Sequence, residues 1–196
     1  MPTFHVLLAT IGRPSLQKMI DSLKPELVEG DHLTIVFDGV QRNHCDISNM
    51  KCNTHIYEEN TPLGYWGHGI RNKYAPLLEQ TDFVMHADDD DIYIPGSFSF
   101  LRTECCDHKT LYIAQMKSYI AHTVYPLKDD VCFENIGTPM GIIPYNHNQH
   151  HEWGLFYGGD GYFYENISKV ANIVWLKKII YLIKPANNVK ITDLII

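Results

Sequence analysis

No run of apolar residues in this 196-residue chain approaches the roughly 18 that cross a bilayer. The N-terminus also lacks the basic segment and long apolar stretch of an export signal. A soluble, cytoplasmic protein is therefore expected. Positive charge is scarce: 16 Lys and Arg stand against 23 Asp and Glu, for a net charge of -7. Without clustered basic residues to meet a phosphate backbone, nucleic acid is excluded as an expected partner. Paired cysteines are missing too. Cys45, Cys52, Cys105, Cys106 and Cys132 are odd in number and contain no Cys-x-x-Cys spacing. That excludes a disulfide framework, gives no indication of zinc, and suits a reducing compartment. Asn166-Ile167-Ser168 fits a glycosylation sequon, which matters only in a secretory compartment.

The chain has enough apolar content, 45%, and enough length for one domain with a real core. Phe4 to Thr10 reads as a buried strand, followed by Gly12-Arg13-Pro14-Ser15, a turn with Ser15 placed to cap a helix. Leu16, Met19, Ile20 and Leu23 recur at helical spacing, and Lys24-Pro25 ends that helix. His32 to Phe37 is a second strand, closing on Asp38-Gly39, and Asn53 to Tyr57 a third. After the Gly-rich Gly64 to Gly69, a helix is expected over 70–79, shortened or bent by Pro76. Phe83-Val84-Met85-His86-Ala87 is a fourth strand. This alternation predicts an α/β sheet with parallel strands and helices on its faces, and ligands beyond the carboxyl ends of the strands. Thr10, Asp38 and Asp88 lie at those ends. Beyond residue 100, Tyr112 to Tyr125 is strand-like, Val131 to His151 reads as long loops, and Ile173 to Ile183 as an apolar helix. The apolar end at Ile195-Ile196 suggests one domain of a longer protein.

Four consecutive aspartates, Asp88 to Asp91, follow the fourth strand and precede Ile92-Tyr93-Ile94-Pro95-Gly96. Adjacent like charges repel by roughly 1 kcal/mol per close pair in water and roughly 4 kcal/mol near a protein surface, so an ordered chain needs a compensating cation. Mn2+ or Mg2+ suits carboxylate oxygens, usually with one or two protein carboxylates and substrate phosphates. In an extended segment alternate side chains share a direction, so Asp88 and Asp90 can converge on one cation while Asp89 turns inward. A solvated acidic turn is the plainer reading, disfavoured by the buried strand before it and the apolar closure after it.

The segment from Phe83 to Ser97 resembles the Asp-x-Asp region of nucleotide-sugar glycosyltransferases with the GT-A fold, particularly family 2-like enzymes. Ala9-Thr10-Ile11-Gly12-Arg13-Pro14 is similar to that family's first strand and loop, and Gly64 to Gly69 with Arg71-Asn72 to its Gly-rich segment. These matches occur in the expected order over about the first 100 residues. More narrowly, the compact length is similar to that of a glycosyltransferase domain from large chlorella viruses, which implies a viral glycan as acceptor and a host-cytoplasm location. The resemblance implies a single GT-A-like (Rossmann-like) domain over 1–196 with a mixed, mostly parallel central sheet, residues 1–100 binding nucleotide and metal and 101–196 the acceptor. It implies a UDP-sugar donor, UDP-rhamnose or UDP-glucose among the candidates, and Mn2+ or Mg2+. Thr10, Arg13, Asp38, Gly64, Arg71, Asn72, Asp88 and Asp89 would face the donor, Asp88 and Asp90 the metal, with His150 a further candidate ligand. Asp160, between Gly158-Gly159 and Gly161, matches the family's late acidic residue that acts as general base.

Plainer readings stand beside several of these residues. Arg13 and Arg71 are the kind of residue that commonly ends in a surface ion pair, and Asp38-Gly39 is often a tight turn. His147, His150 and His151 fit either a ligand or acceptor site or a solvated loop. Trp153, Phe156, Tyr157, Tyr162 and Phe163 suit a sugar face or a core, and His86 a satisfied core histidine. Two rival functions have the same acidic site: a nucleotidyltransferase acting on sugar phosphates, and a non-catalytic metal- or glycan-binding module. The absence of Lys between Ala9 and Ser15 counts against the first.

Overall fold

The computed structural model describes residues 1–42 and 45–186. Ile195 and Ile196, the apolar end noted above, lie outside them. Strand β1 (Phe4–Thr10) is buried along its whole length, as is β2 (His32–Asp38). These two pair in parallel with each other, β2 pairs in parallel with β3 (Asn53–Glu59), and β1 with β4 (Phe83–Asp88). Continuous apolar runs in sequence become strands covered on both faces. Phe4, Val6 and Leu8 of β1 join the larger core, and Leu7 and Ala9 join a smaller cluster on the opposite face. The alternation of successive side chains across a strand produces this division.

Helix α1 (Leu16–Leu23) buries Leu16, Met19, Ile20 and Leu23, the four positions its spacing singled out. Ser15 stands at its N-cap, but its side chain makes no capping bond. The first turn is held instead by main-chain bonds such as Leu16 N–H to the Arg13 carbonyl, 3.0 Å. Helix α2 (His68–Tyr74) stops two residues before Pro76, which lies in a 3-10 turn over Ala75–Leu77. A proline ring removes a helical donor and clashes with the preceding turn, so the helix cannot run to residue 79. α2 packs Ile70 and Tyr74 onto the smaller cluster.

The second half differs more from its sequence reading. β5 (Ile92–Tyr93) and α3 (Ser97–Glu104) follow the aspartates, then β6 (Leu111–Ser118) and β7 (Val124–Tyr125). The stretch read as long loops also contains β8 (Gly141–Pro144) and α4 (Tyr145–His150), and α5 (Gly159–Ser168) begins at the late glycines. Ile173 to Ile183 is not a helix but the longest strand, β9, pairing in parallel with β6 and antiparallel with β5. Its Ile, Val, Trp and Tyr residues favour the pleated sheet, and their packing against β6 decides the outcome.

The sheet runs β3-β2-β1-β4-β8-β6-β9-β5, with β7 beside β6. It is parallel through β3, β2, β1 and β4, and turns antiparallel where β8 enters between β4 and β6. The mostly parallel expectation thus describes its first half. Register shifts around Gln115 interrupt the β6 and β9 pairing. The result is a single mixed α/β domain flanked by helices. No helix among the described residues is long and apolar enough to cross a membrane.

Candidate functional site

A cleft of about 480 Å³ opens beyond the carboxyl ends of β1, β2 and β4. Thr10, Arg13, Asp38, Gly64, Asp88, Asp90 and Asp160 line it. An adjoining cavity of about 400 Å³ shares Asp88, Trp66 and Asp160 with it and adds Tyr157 and Phe133. A larger hollow of about 700 Å³ near His147 and Lys109 includes none of these residues.

The aspartates divide by environment. Asp89 is fully buried and holds the loop after β1. Its Oδ2 accepts from Thr10 Oγ1 at 2.5 Å, Ile11 N at 3.1 Å and Arg13 N at 3.3 Å, and its Oδ1 pairs with the Arg13 guanidinium. Thr10 Oγ1 in turn accepts from Gly12 N at 2.8 Å. Asp91 accepts from Lys184 N at 2.8 Å, and burial beside Asp88 holds its carboxyl well above the usual range. Asp90 is raised too, first by burial and then by Asp88, while Arg13 and Lys184 act in the opposite sense. The Lys184 ammonium is 3.9 Å from Asp90 Oδ2. Among the described residues, the cleft carboxylates do not bring three donor oxygens within 4.8 Å of one another.

Asp88 rests on a buried cation. Arg71 of α2 is wholly enclosed, with Nη2 donating to Asp88 Oδ1 at 2.6 Å and Nη1 to the Trp66 carbonyl at 2.8 Å. Its guanidinium carbon stands 5.1 Å from the centre of the Trp153 ring. The surface ion pair is therefore not its fate. Arg71 reaches the cleft through Asp88 and is not among its lining residues. Asn72 is further removed: its side chain bonds both the N–H and the carbonyl of Trp153, at 2.7 and 2.9 Å.

Asp38, at the end of β2, accepts from two successive amides, Leu63 N at 2.6 Å and Gly64 N at 2.9 Å. This fixes the entry to a loop in which Gly64, Tyr65, Trp66 and Gly67 all have positive φ. Two consecutive non-glycine residues in the left-handed region are uncommon and cluster at functional sites. Trp66 is 65% exposed, and its ring meets Tyr157 edge-on at 5.9 Å.

Asp160 occupies the first turn of α5, where a carboxylate is favoured by the helix dipole. Gly158 precedes it with φ 83°, where a Cβ would fall 2.0 Å from the Phe133 ring. At Gly159 a Cβ would fall 2.0 Å from the Gly154 carbonyl oxygen. Only glycines allow the helix to start here and carry Asp160 to the cleft. Opposite, His68 Nδ1 donates to that same Gly154 carbonyl at 2.8 Å.

The histidine cluster ends up elsewhere. His150 Nδ1 bonds the Asn146 carbonyl at 2.6 Å, and His151 Nδ1 the His147 carbonyl at 2.9 Å, along α4. None of the three lines the cleft. His86 is a core histidine, with Nε2 2.7 Å from Asn148 Oδ1 and its ring against Trp153. Trp153 and Phe163 stack with centroids 4.2 Å apart and are buried, so that pair belongs to the core. Sequence reasoning passed over Trp66 and Lys184. Lys184 follows the segment read as a helix, and only its pairing as a strand brings it to the aspartates.

No family model and no curated protein sequence matches this chain. Solved structures do. The crystal structure of S. aureus TarS 1–349 superposes with TM-score 0.68 at 16% identity, over 94% of this chain and 60% of that one. A second S. aureus TarS structure gives TM-score 0.67 at 15% identity, over 95% of this chain and 37% of that one. S. aureus TarS 1–349 in complex with UDP-GlcNAc gives TM-score 0.67 at 14% identity, over 100% of this chain and 62% of that one. The chain thus spans less than two thirds of each of these three structures. The likeness shows the fold, a GT-A-like α/β domain.

Proposed function

We propose that this domain transfers a sugar from a nucleoside diphosphate donor, a UDP-sugar, to a hydroxyl of a glycan acceptor. The observation that carries the reading is the cleft itself: Asp88 and Asp90 at the end of β4 share it with Asp160 at the start of α5 and with Asp38 at the end of β2. A UDP-GlcNAc complex among the structures of like fold supports the donor class. Residues 1–100 would hold nucleotide and metal, and the later residues the acceptor beside Tyr157 and Phe133.

The donor set fits Mn2+ or Mg2+. Asp88 and Asp90 offer hard carboxylate oxygens to the same cleft, and burial, the first cause of the raised proton affinity of Asp90, leaves a carboxylate that a bound cation would favour in its ionised form. Two protein carboxylates leave the remaining positions to phosphate oxygens and water. When bound, such an ion supplies Lewis-acid stabilisation of the charge that develops on the departing diphosphate.

The chain's own groups account for the other steps. Arg13 and Lys184 add positive charge beside the phosphates. Asp160 accepts the proton of the acceptor hydroxyl as its oxygen attacks the anomeric carbon. The bond from that carbon to the phosphate oxygen breaks, and its electron pair leaves with the diphosphate. One displacement of this kind inverts the anomeric centre. Calorimetry with UDP, with and without Mn2+, tests the donor site, and absence of binding in both conditions defeats the proposal. An Asp160→Asn variant should bind UDP normally and lose transfer, and a product with retained configuration would remove Asp160 from the role of base.

A further inference from the structure

At the opposite end of the sheet, three side chains from three elements converge. His32 opens β2, His55 lies near the start of β3, and Glu79 follows the 3-10 turn after α2. His32 Nδ1 is 3.2 Å from Glu79 Oε2 and His55 Nε2 is 2.8 Å from Glu79 Oε1. One donor atom from each falls within 4.8 Å of the other two. Both ring nitrogens are buried, yet neither makes a hydrogen bond of acceptable geometry, with the carboxylate or with anything else. Two buried imidazole nitrogens thus stand at ion-pair distance from one carboxylate without the well-aligned hydrogen bond that buried polar atoms almost always have.

We propose that His32, His55 and Glu79 bind a divalent transition-metal ion of the zinc class. Two imidazoles and one carboxylate form a familiar zinc donor set, whereas Mg2+ and Mn2+ prefer oxygen. With bonds of about 2.0–2.1 Å, tetrahedral ligand atoms stand about 3.4 Å apart. The 3.2 Å contact already meets that spacing, and the 2.8 Å contact needs a small opening. Glu79 and His55 are about half exposed on their side chains, 52% and 41%, leaving room for water as fourth ligand.

A neighbouring residue preorganises the group. His5 Nδ1 donates to the Glu79 carbonyl at 3.0 Å, which places its Nε2 as acceptor for Thr34 Oγ1 at 2.8 Å. The His5 ring stacks on His32 with centroids 5.2 Å apart and an interplanar angle of 26°. Supporting contacts of this type orient metal ligands. The cysteine spacing gave no indication of zinc because no cysteine takes part: the ligands meet only through the β2 and β3 register and the turn after α2. His32 and Asp38 bound the same strand, about 20 Å apart at strand rise, so this ion is separate from the sugar-transfer site. Its role is to tie edge strand β3 and the segment after the 3-10 turn to β2.

The test uses the whole chain, stripped of metal, titrated with Zn2+ by calorimetry and with Co2+ by absorption. The expected result is one tightly bound equivalent, a tetrahedral Co2+ spectrum and a higher unfolding midpoint with Zn2+. His55→Ala and Glu79→Gln, both at partly exposed side chains, should each lose that equivalent and the spectrum. Asp90→Asn should keep both, which separates this site from the cleft. Absence of tight binding in the wild type overturns the proposal, as does an equivalent that survives in both variants, since exposed histidines elsewhere would then be holding it.

Discussion

Arg71 and Asp88 form an ion pair whose cation is enclosed and whose anion reaches the cleft: Nη2 lies 2.6 Å from Oδ1, with the Arg71 side chain 0% and the Asp88 side chain 31% exposed. Nη2 of the buried guanidinium bonds Asp88 and Nη1 the Trp66 carbonyl, while its Nε has no hydrogen-bond partner, so the two bonds to the site carry the burial of this cation. The pair therefore joins two parts of the site, the acidic strand end and the left-handed loop.

Replacing Arg71 with Met retains much of the side chain's volume and removes both bonds. Breaking a wholly buried pair costs about 3–5 kcal/mol, and the partial exposure of Asp88 lowers the expected loss to roughly 2–3 kcal/mol. Urea denaturation measures it. UDP affinity should fall as well, because Asp88 and Trp66 lose their common support. A variant as stable as the wild type would show that the pair serves no structural purpose.

The neighbouring aspartates should separate cleanly. Asp89→Asn keeps the shape but gives up the charge that holds the Arg13 guanidinium and three further donors, Thr10 Oγ1, Ile11 N and Arg13 N, at a cost of about 1–3 kcal/mol. Its UDP affinity should fall with or without Mn2+, because the Thr10 to Arg13 loop loosens. Asp90→Asn should leave stability unchanged or raise it, since it removes first the cost of burying that charge and then the repulsion from Asp88, and should remove only the Mn2+-dependent part of UDP binding. Melting curves with calorimetry on both variants decide this. Equal behaviour in the two assays would mean that the four aspartates act as an undivided cluster.

Part of this arrangement was readable in the chain because buried parallel strands are nearly continuous apolar runs, as in Phe4 to Ala9 and Phe83 to Ala87, and polar residues at their ends stand out. The same property misled at Ile173 to Ile183. A short apolar run has no periodicity that separates a buried strand from a buried helix, and only pairing with β6 and β5 settles it. Lys184 was lost with that strand. The burial of Arg71 was illegible for a different reason: it depends on Trp153, which is 82 positions away, closing over the guanidinium. The start of α5 was half legible: Gly158, Gly159 and Gly161 mark a special backbone around Asp160, but glycine carries no sign of a helix.

Acid should weaken the contact between α2 and the segment before α5. His68 is buried, and burial, then the Arg71 charge, lowers its pKa from the ordinary 6.5. The folded protein thus takes up the proton later than the unfolded chain does. Stability from this group is complete above about pH 6.5 and declines as pH falls toward the lowered folded value. Denaturation midpoints between pH 7.5 and 5 should drop, and His68→Asn should flatten part of the slope. Only part is expected, because burial also lowers His5, to about 4, and His86. A slope unchanged in the variant would mean that His68 is neutral or charged alike in both states.

Trp66 offers a test of strain kept for binding. Its φ of 54° follows the same value at Tyr65, and its side chain is 65% exposed. An L-residue in this region costs about 1–2 kcal/mol, while an exposed indole recovers little by burial. Trp66→Gly removes the steric cost and should leave stability equal or slightly higher despite the added freedom of the unfolded chain. Trp66→Ala keeps the backbone cost. If the ring is held out to stack on a base or sugar, a contact of about 1–3 kcal/mol, both variants should bind the donor roughly tenfold or more weakly than the wild type. Loss of affinity without loss of stability marks Trp66 as a binding residue. Lower stability in the glycine variant, with affinity intact, would show instead that the indole's contact with Tyr157 holds the loop.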